Sequence, residues 1–283
     1  MSIRTLAANI GFTEGPLWTA DHRLLAVAMS RGLVVEIDLE GGVLDATEVG
    51  GGPNGLAQGP DGTVWVAQNG AALRPSRSTR PTPPGLQRIE RGNVIDVGVD
   101  DARAPNDLVA GPDGRIWFTD PGPPGATGNG RLCALEPRSG ATSVLLDGIA
   151  FPNGLAFGPE GDILLLARTD EGRITRHRWT GDRLVPAGEA AVLPAGGPDG
   201  LALDADGRLY AAAPDADAIF VFEPDGRLAG EIRFPEPAFP TNVCFAGPDL
   251  DVLVVTAAKG GKVLLVERPG AAPGLPLHVG AVL

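Results

Sequence analysis

The sequence predicts an all-β protein: a six-bladed β-propeller with four-stranded antiparallel blades, filling residues 1–283 as one domain. Three observations carry that expectation. A unit of roughly 46 residues recurs six times, a period that suits a propeller blade. Each copy breaks into about four short apolar or alternating runs, the pattern of half-buried or buried strands. Gly (41) and Pro (27) supply the many turns that such short strands need.

The first copy holds Glu14 seven residues before Asp21. The second pairs Pro53-Asn54-Gly55-Leu56 with Gly59-Pro60-Asp61-Gly62, and the third pairs Pro105-Asn106-Asp107-Leu108 with Gly111-Pro112-Asp113-Gly114. The fourth has Pro152-Asn153-Gly154-Leu155 and Gly158-Pro159-Glu160-Gly161. The fifth has Pro198-Asp199-Gly200-Leu201 and Asp204-Ala205-Asp206-Gly207. In the sixth, Asn242 again stands seven residues before an acid, Asp249. The leading residues Glu14, Asn54, Asn106, Asn153, Asp199 and Asn242 fall at intervals of 40, 52, 47, 46 and 43. Within the fourth copy the strands are expected over 154–157, 162–167 and 173–179, with a ragged fourth running up to Leu193. Ring closure falls either to the N-terminal Ser2 to Ala8 or to the C-terminal Leu277 to Leu283, each able to complete the last blade.

A net charge of −12 argues against nucleic acid or an anionic membrane as partner. No apolar run reaches the ~18 residues of a membrane span, and the first residues lack the build of a secretory signal, so a soluble, cytoplasmic protein is expected. Cys133 and Cys244 show no metal-binding spacing and are expected as buried free thiols. Monomer and small homo-oligomer both fit.

In a propeller the first strand of each blade lies nearest the axis, so six residues at its start form a ring at one mouth of the central channel. A turn-forming role accounts for an isolated Asn or Asp before Gly, but not for Glu14. Two carboxylates and four amides converging there call for a cation. All-oxygen ligation favours Ca²⁺, with Mg²⁺ or Mn²⁺ meeting the same requirement. His22, His177 and His278 lie outside the ring, and no G-x-S-x-G, P-loop or dinucleotide fingerprint occurs. An enzyme built from these parts would use metal and carboxylate, and hydrolysis suits them: the metal polarises a carbonyl and activates water, and a ring carboxylate takes the proton.

Thr13-Glu14-Gly15-Pro16-Leu17-Trp18, Pro105-Asn106-Asp107, Phe151-Pro152-Asn153-Gly154-Leu155 and Pro198-Asp199-Gly200-Leu201, in order and at blade spacing, resemble the SMP-30/gluconolactonase/LRE-like (regucalcin) family over nearly the whole chain. The resemblance implies one divalent metal, usually Ca²⁺ or Zn²⁺, and hydrolysis of a small-molecule lactone. It also implies Glu14, Asn153 and Asp199 as metal ligands, Asp199 as general base, and Asn106 as a substrate contact or completion of the metal shell. Asn54 and Asn242, the remaining ring members, are candidate substrate contacts. Sugar lactonases of the family often carry an Arg two or three residues before the third-blade Asn. Here Arg103 stands three back, and an acidic contact placed after the next strand is replaced by Pro121, with Asp120 adjacent. Arg103 and Asp120 are therefore candidate substrate contacts whose geometry decides whether a hydroxyl-rich lactone is held.

Loops after the second strands should lie on the same face. The longest, Asn69 to Gly85, carries Arg74, Arg77 and Arg80 and is either a lid that attracts a carboxylate-bearing substrate or a solvated loop. The loops 120–130 and 168–172 would form other walls, and Arg168 is a further candidate contact. Two other readings stand beside lactone hydrolysis: an aryl-ester or organophosphate hydrolase on the same metal, and a non-catalytic calcium- or ligand-binding propeller. A strictosidine-synthase-like propeller ranks behind them, since its chemistry does not require this ligand set.

Overall fold

The computed structural model describes residues 2–125, 128–267 and 272–276. After β1 (Ile3–Ala7), blade one is β2 (Thr13–Trp18), β3 (Leu24–Ala28), β4 (Leu33–Ile37) and β5 (Val43–Glu48). Blade two is β6 (Pro53–Gln58), β7 (Val64–Gln68), β8 (Gly85–Glu90) and β9 (Asn93–Val97). Blade three is β10 (Leu108–Ala110), β11 (Ile116–Asp120), β12 (Gly130–Leu135) and β13 (Thr142–Ile149). Blade four is β14 (Pro152–Phe157), β15 (Ile163–Arg168), β16 (Arg173–Trp179) and β17 (Leu184–Val192). Blade five is β18 (Leu201–Leu203), β19 (Leu209–Ala213), β20 (Ala218–Phe222) and β21 (Leu228–Arg233). Blade six takes β22 (Pro240–Ala246), β23 (Val252–Ala257) and β24 (Lys262–Glu267).

Each blade is an antiparallel meander, and the sixth is completed by β1, which pairs with β24 in the register Ile3↔Val266, Arg4↔Leu265 and Thr5↔Leu264. The N-terminal segment therefore closes the ring. The C-terminal alternative, 277–283, lies outside the described residues. The six expected repeats are the six observed blades, so the fold is the six-bladed propeller.

The packing explains why short strands suffice. Six apolar clusters sit between neighbouring blades, one at each interface around the ring. Leu165, Ile174, Ala211 and Phe220 join blades four and five, and Trp18, Val35, Val254 and Leu265 join blades one and six. The inner strands of each sheet are buried on both faces, which is why β3 and β19 read as unbroken apolar runs, while outermost strands such as β5 are largely exposed. Cys133 and Cys244 are buried in separate clusters as free thiols, and burial pushes them up to about 11 and about 12. Among the described residues no helix is long and apolar enough to cross a membrane.

The repeated seven-residue spacing marks the two ends of the inner strand. At the far end, aspartates fold the first hairpin by accepting backbone hydrogen bonds, as Asp61 does from Thr63 and Asp113 from Arg115. At the near end the ladder slips directly after the ring residue, between Glu14 and Leu17, Pro53 and Leu56, and Pro152 and Leu155. Such bulges re-aim a side chain, here toward the axis. Crowding there is severe: Gly154 N–H donates to Asp199 O in the next blade (3.2 Å), and a Cβ on Gly154 would stand 2.3 Å from that oxygen.

Candidate active site

Five of the six ring residues, Glu14, Asn54, Asn106, Asn153 and Asp199, line one cavity of about 240 Å³ at the mouth of the channel. Glu14, Asn54, Asn106 and Asn153 are almost fully buried and Asp199 is half-buried. The amides are held by directed hydrogen bonds. Asn54 Nδ2 donates to Asn106 Oδ1 (2.5 Å), linking blades two and three. Asn153 Nδ2 donates to Thr169 Oγ1 (3.2 Å), and the Thr169 hydroxyl donates to Pro198 O (2.7 Å), directly before Asp199. With its nitrogen committed this way, Asn153 has its carbonyl oxygen as a free acceptor.

The sixth ring residue turns away from the cavity. Asn242 Nδ2 donates to Asp107 Oδ2 (3.2 Å), and the Asn242 amide also hydrogen-bonds Glu14. Asp107 is a third buried carboxylate, one residue beyond the ring and deeper along the axis, with Oδ1 accepting from Leu108 N–H at 2.9 Å. Sequence reasoning did not single it out, although a signal existed. The position after the ring residue is Gly15, Gly55, Gly154 and Gly200 in four blades, and Asp in the third. The third-blade acid needs one of those glycines, because a Cβ on Gly55 would lie 2.4 Å from Asp107 Oδ1.

Three acids converging out of water are each held above the usual carboxylate range. For Glu14 burial is the main cause, followed by the charges of Asp199 and Asp107, against lowering hydrogen bonds from Gly15 and Asn242. Asp199 is raised by burial, then by Asp107, against a hydrogen bond from Asn153. Burial lifts Asp107 to about 6, against hydrogen bonds from Leu108 and Asn242. Among the described residues no three His, Cys, Asp or Glu side chains group as a metal site. The set facing the cavity is instead the two ring carboxylates, with Asp215 beside them, and carboxamide oxygens. That hard-oxygen donor set, carrying unrelieved negative charge, suits a divalent cation.

The other expected contacts lie elsewhere. Asp120 is fully buried and accepts from Ala104 N–H (2.8 Å), Arg103 N–H (3.3 Å) and Arg131 Nη2 (2.6 Å). Arg103 donates to Asn129 O (2.6 Å) and pairs with Asp120, and Arg168 pairs with Glu171. None of Arg103, Asp120 and Arg168 lines the cavity. Asp120 instead pins the segment that delivers Asn106. Thr169 and Asp215, which do line the cavity, went unnoticed in the sequence because both follow a second strand, where the repeat has no fixed pattern.

The loop 69–85 is tied to blade one by Arg77 N–H to Ser30 O (2.9 Å) and Gly51 N–H to Arg80 O (3.0 Å), and Arg80 pairs with Asp96 at 3.2 Å. Of its residues, Leu73 and Arg74 line the cavity.

Fold and cavity define the class: a β-propeller that presents carboxylates and carboxamides to a cavity at one end of its axis. The chain belongs to the SMP-30/Gluconolactonase/LRE-like family, whose model matches residues 12–259. It is similar to a gluconolactonase of Zymomonas mobilis, 27% identical over 90% of this chain and 79% of that protein. It is also similar to the pentonolactonase XacC of Haloferax volcanii, 28% identical over 91% and 85% of the two chains. Among solved structures, a gluconolactonase of Xanthomonas campestris superposes with a TM-score of 0.78 at 25% identity, covering 94% of this chain and 89% of that one.

Proposed function

We propose that this protein hydrolyses a lactone at the axial cavity, with a divalent cation, Ca²⁺ first, held by Glu14, Asn153 and Asp199. The observation that supports the reading most is the pairing of two raised carboxylates, Glu14 and Asp199, with amide oxygens on the floor of a cavity open to a small molecule. The names of the gluconolactonase and pentonolactonase relatives agree with it. Bound there, a divalent cation supplies Lewis-acid polarisation of the lactone carbonyl and relieves the repulsion between the acids.

The chain's own groups do the rest. Asp199, half-open to the cavity, accepts a proton from water as the water oxygen bonds to the carbonyl carbon. The ring C–O bond then breaks, the electron pair leaves with the alkoxide, and that oxygen takes the proton back from Asp199 to give the hydroxy acid and the free base. Asn106, fixed by Asn54, orients the substrate through its free amide N–H groups. Asn242 holds Glu14, while Arg103 and Asp120 fix the segment carrying Asn106, and Arg168 braces the turn that carries Thr169. An aryl ester would meet the same groups and is favoured over a phosphotriester by the aromatic walls described below.

Asp199→Asn tests the assignment. Lactone turnover should fall at least about a hundredfold, the loss typical of removing general-base catalysis, with an unchanged circular dichroism spectrum. Wild-type rates in that variant would remove Asp199 from the reaction.

A further inference from the structure

Above the oxygen floor the cavity changes character. Phe12, Met29, Leu73, Pro124, Phe151, Pro214 and Phe239 line it, apolar side chains contributed from all around the ring. The only cation among its described lining residues is Arg74. Its guanidinium lies 4.0 Å from the Phe12 ring centroid, and Phe12 meets Phe239 edge-on at 6.4 Å. Among the described residues Arg74 has no carboxylate partner within salt-bridge distance.

Two of the aromatic walls are also held in backbone conformations that bulky residues avoid. Phe151 has φ 40° and Phe239 φ 54°, and each stands directly before the proline that opens an inner strand. Strain kept at two separate blades, each time aiming a phenyl ring into the same cavity, is the kind of outlier that accompanies a ligand contact. A polyol meets the opposite environment. On this wall Thr169 already donates its hydroxyl to Pro198 O, and a sugar hydroxyl pressed against phenyl and proline carbons loses water without gaining a partner.

We infer that this site selects a flat, apolar lactone bearing a carboxylate, with the ring lying against Phe12, Phe151 and Phe239 and the carboxylate meeting Arg74. The inference deepens the lactone-hydrolase reading and rests on it. A guanidinium already stacked on an aromatic ring is pre-oriented to donate two parallel hydrogen bonds to a carboxylate. That partner also offsets the repulsion an anionic substrate meets from Asp215 and the ring acids.

The experiment compares kcat/KM for three lactones with Ca²⁺ present: 3,4-dihydrocoumarin, its aromatic-ring carboxylates, and D-glucono-1,5-lactone. The carboxylated compound should be preferred over the neutral one by about tenfold, the scale of a charge-assisted hydrogen bond, and gluconolactone should be the poorest. Arg74→Met should erase the preference between the carboxylated and neutral compounds. A second arm measures binding without turnover, by calorimetry with 3,4-dihydro-2-quinolone and its ring carboxylates, which are lactams. It should give the same preference and the same loss in Arg74→Met. Gluconolactone as the best substrate, or an Arg74→Met ratio equal to wild type in both arms, overturns the inference. Absence of turnover on every lactone, with the lactam preference intact, overturns the hydrolase reading and leaves the ligand class standing.

Discussion

Replacing Gly154 by Ala tests whether the inner strands are as crowded as they stand here. The new Cβ would lie 2.3 Å from Asp199 O, 2.8 Å from Gly200 Cα and 3.0 Å from Leu201 N, all backbone atoms of the next blade. No rotamer change relieves the contact, so β14 and the segment leading into β18 must part by roughly 1 Å to restore van der Waals distance. Overpacking of this kind costs about 1–3 kcal/mol, against about 0.4–1 kcal/mol regained from the stiffer unfolded chain. A net loss of about 1–2 kcal/mol lowers Tm by about 2–8 °C in a domain of this size. The parting also separates Asn153 from Asp199, the proposed ligands, and Ca²⁺ ligation at about 2.3–2.6 Å would not tolerate that displacement. Affinity for Ca²⁺ should fall at least about tenfold with one ligand displaced. Thermal melts with and without Ca²⁺, with calorimetric titration of the ion, give both numbers. Gly230→Ala is the control, since its Cβ would meet nothing within 4 Å. A Gly154→Ala protein that melts and binds Ca²⁺ like wild type refutes the crowding and the placement of the ligands beside it.

Two further predictions concern the acid cluster and the hydroxyl that braces Asn153. Because Glu14, Asp107 and Asp199 are all raised, the folded state holds more protons than the unfolded one above pH ~4, so in chelator Tm should fall as pH rises through 6 toward 8. Saturating Ca²⁺ should restore most of that loss at the upper end, and a chelated protein with a flat Tm from pH 5 to 8 would contradict the acid cluster. Thr169→Val removes the hydroxyl that bridges Asn153 and Pro198 O, and kcat/KM should fall about tenfold, the scale of one lost buried hydrogen bond. Thr169→Ser should recover the rate, and equal activity in the Val and Ser variants would show the bridge to be idle.

How much of this was visible in the residues alone follows from what repeats. Six blades and a six-membered ring were legible because each inner strand has a ring residue at one end and a hairpin acid seven residues later. That spacing says which residues reach the axis, but not which way they turn once there. Asn242 belongs to the ring by register, yet its amide is drawn down to Asp107, an interaction across 135 residues. Arg103 and Arg168 sit at the ends where contacts were expected, and each instead has a carboxylate partner, Asp120 and Glu171. The choice between two terminal segments for closure was equally hidden, since each is a short stretch with enough apolar residues for one strand, and the pairing of β1 with β24 supplies what the residues alone did not.

That pairing has a kinetic side. β1 precedes all six inner strands and its partner β24 follows them, so the sixth blade cannot be finished until everything from Ile3 to Glu267 has been made. Closing so long a loop adds only slowly growing entropy, but pairing Ile3 with Val266 is a contact of very large sequence separation, the kind that forms slowly. Until β1 docks, β24 is a bare strand edge beside the half-covered cluster of Trp18, Cys244 and Leu265, and another chain's β1 fits it as well as its own. Crowded synthesis should therefore favour exchange of β1 between molecules, and a tether or tag that slows the first strand should raise the yield of swapped dimers.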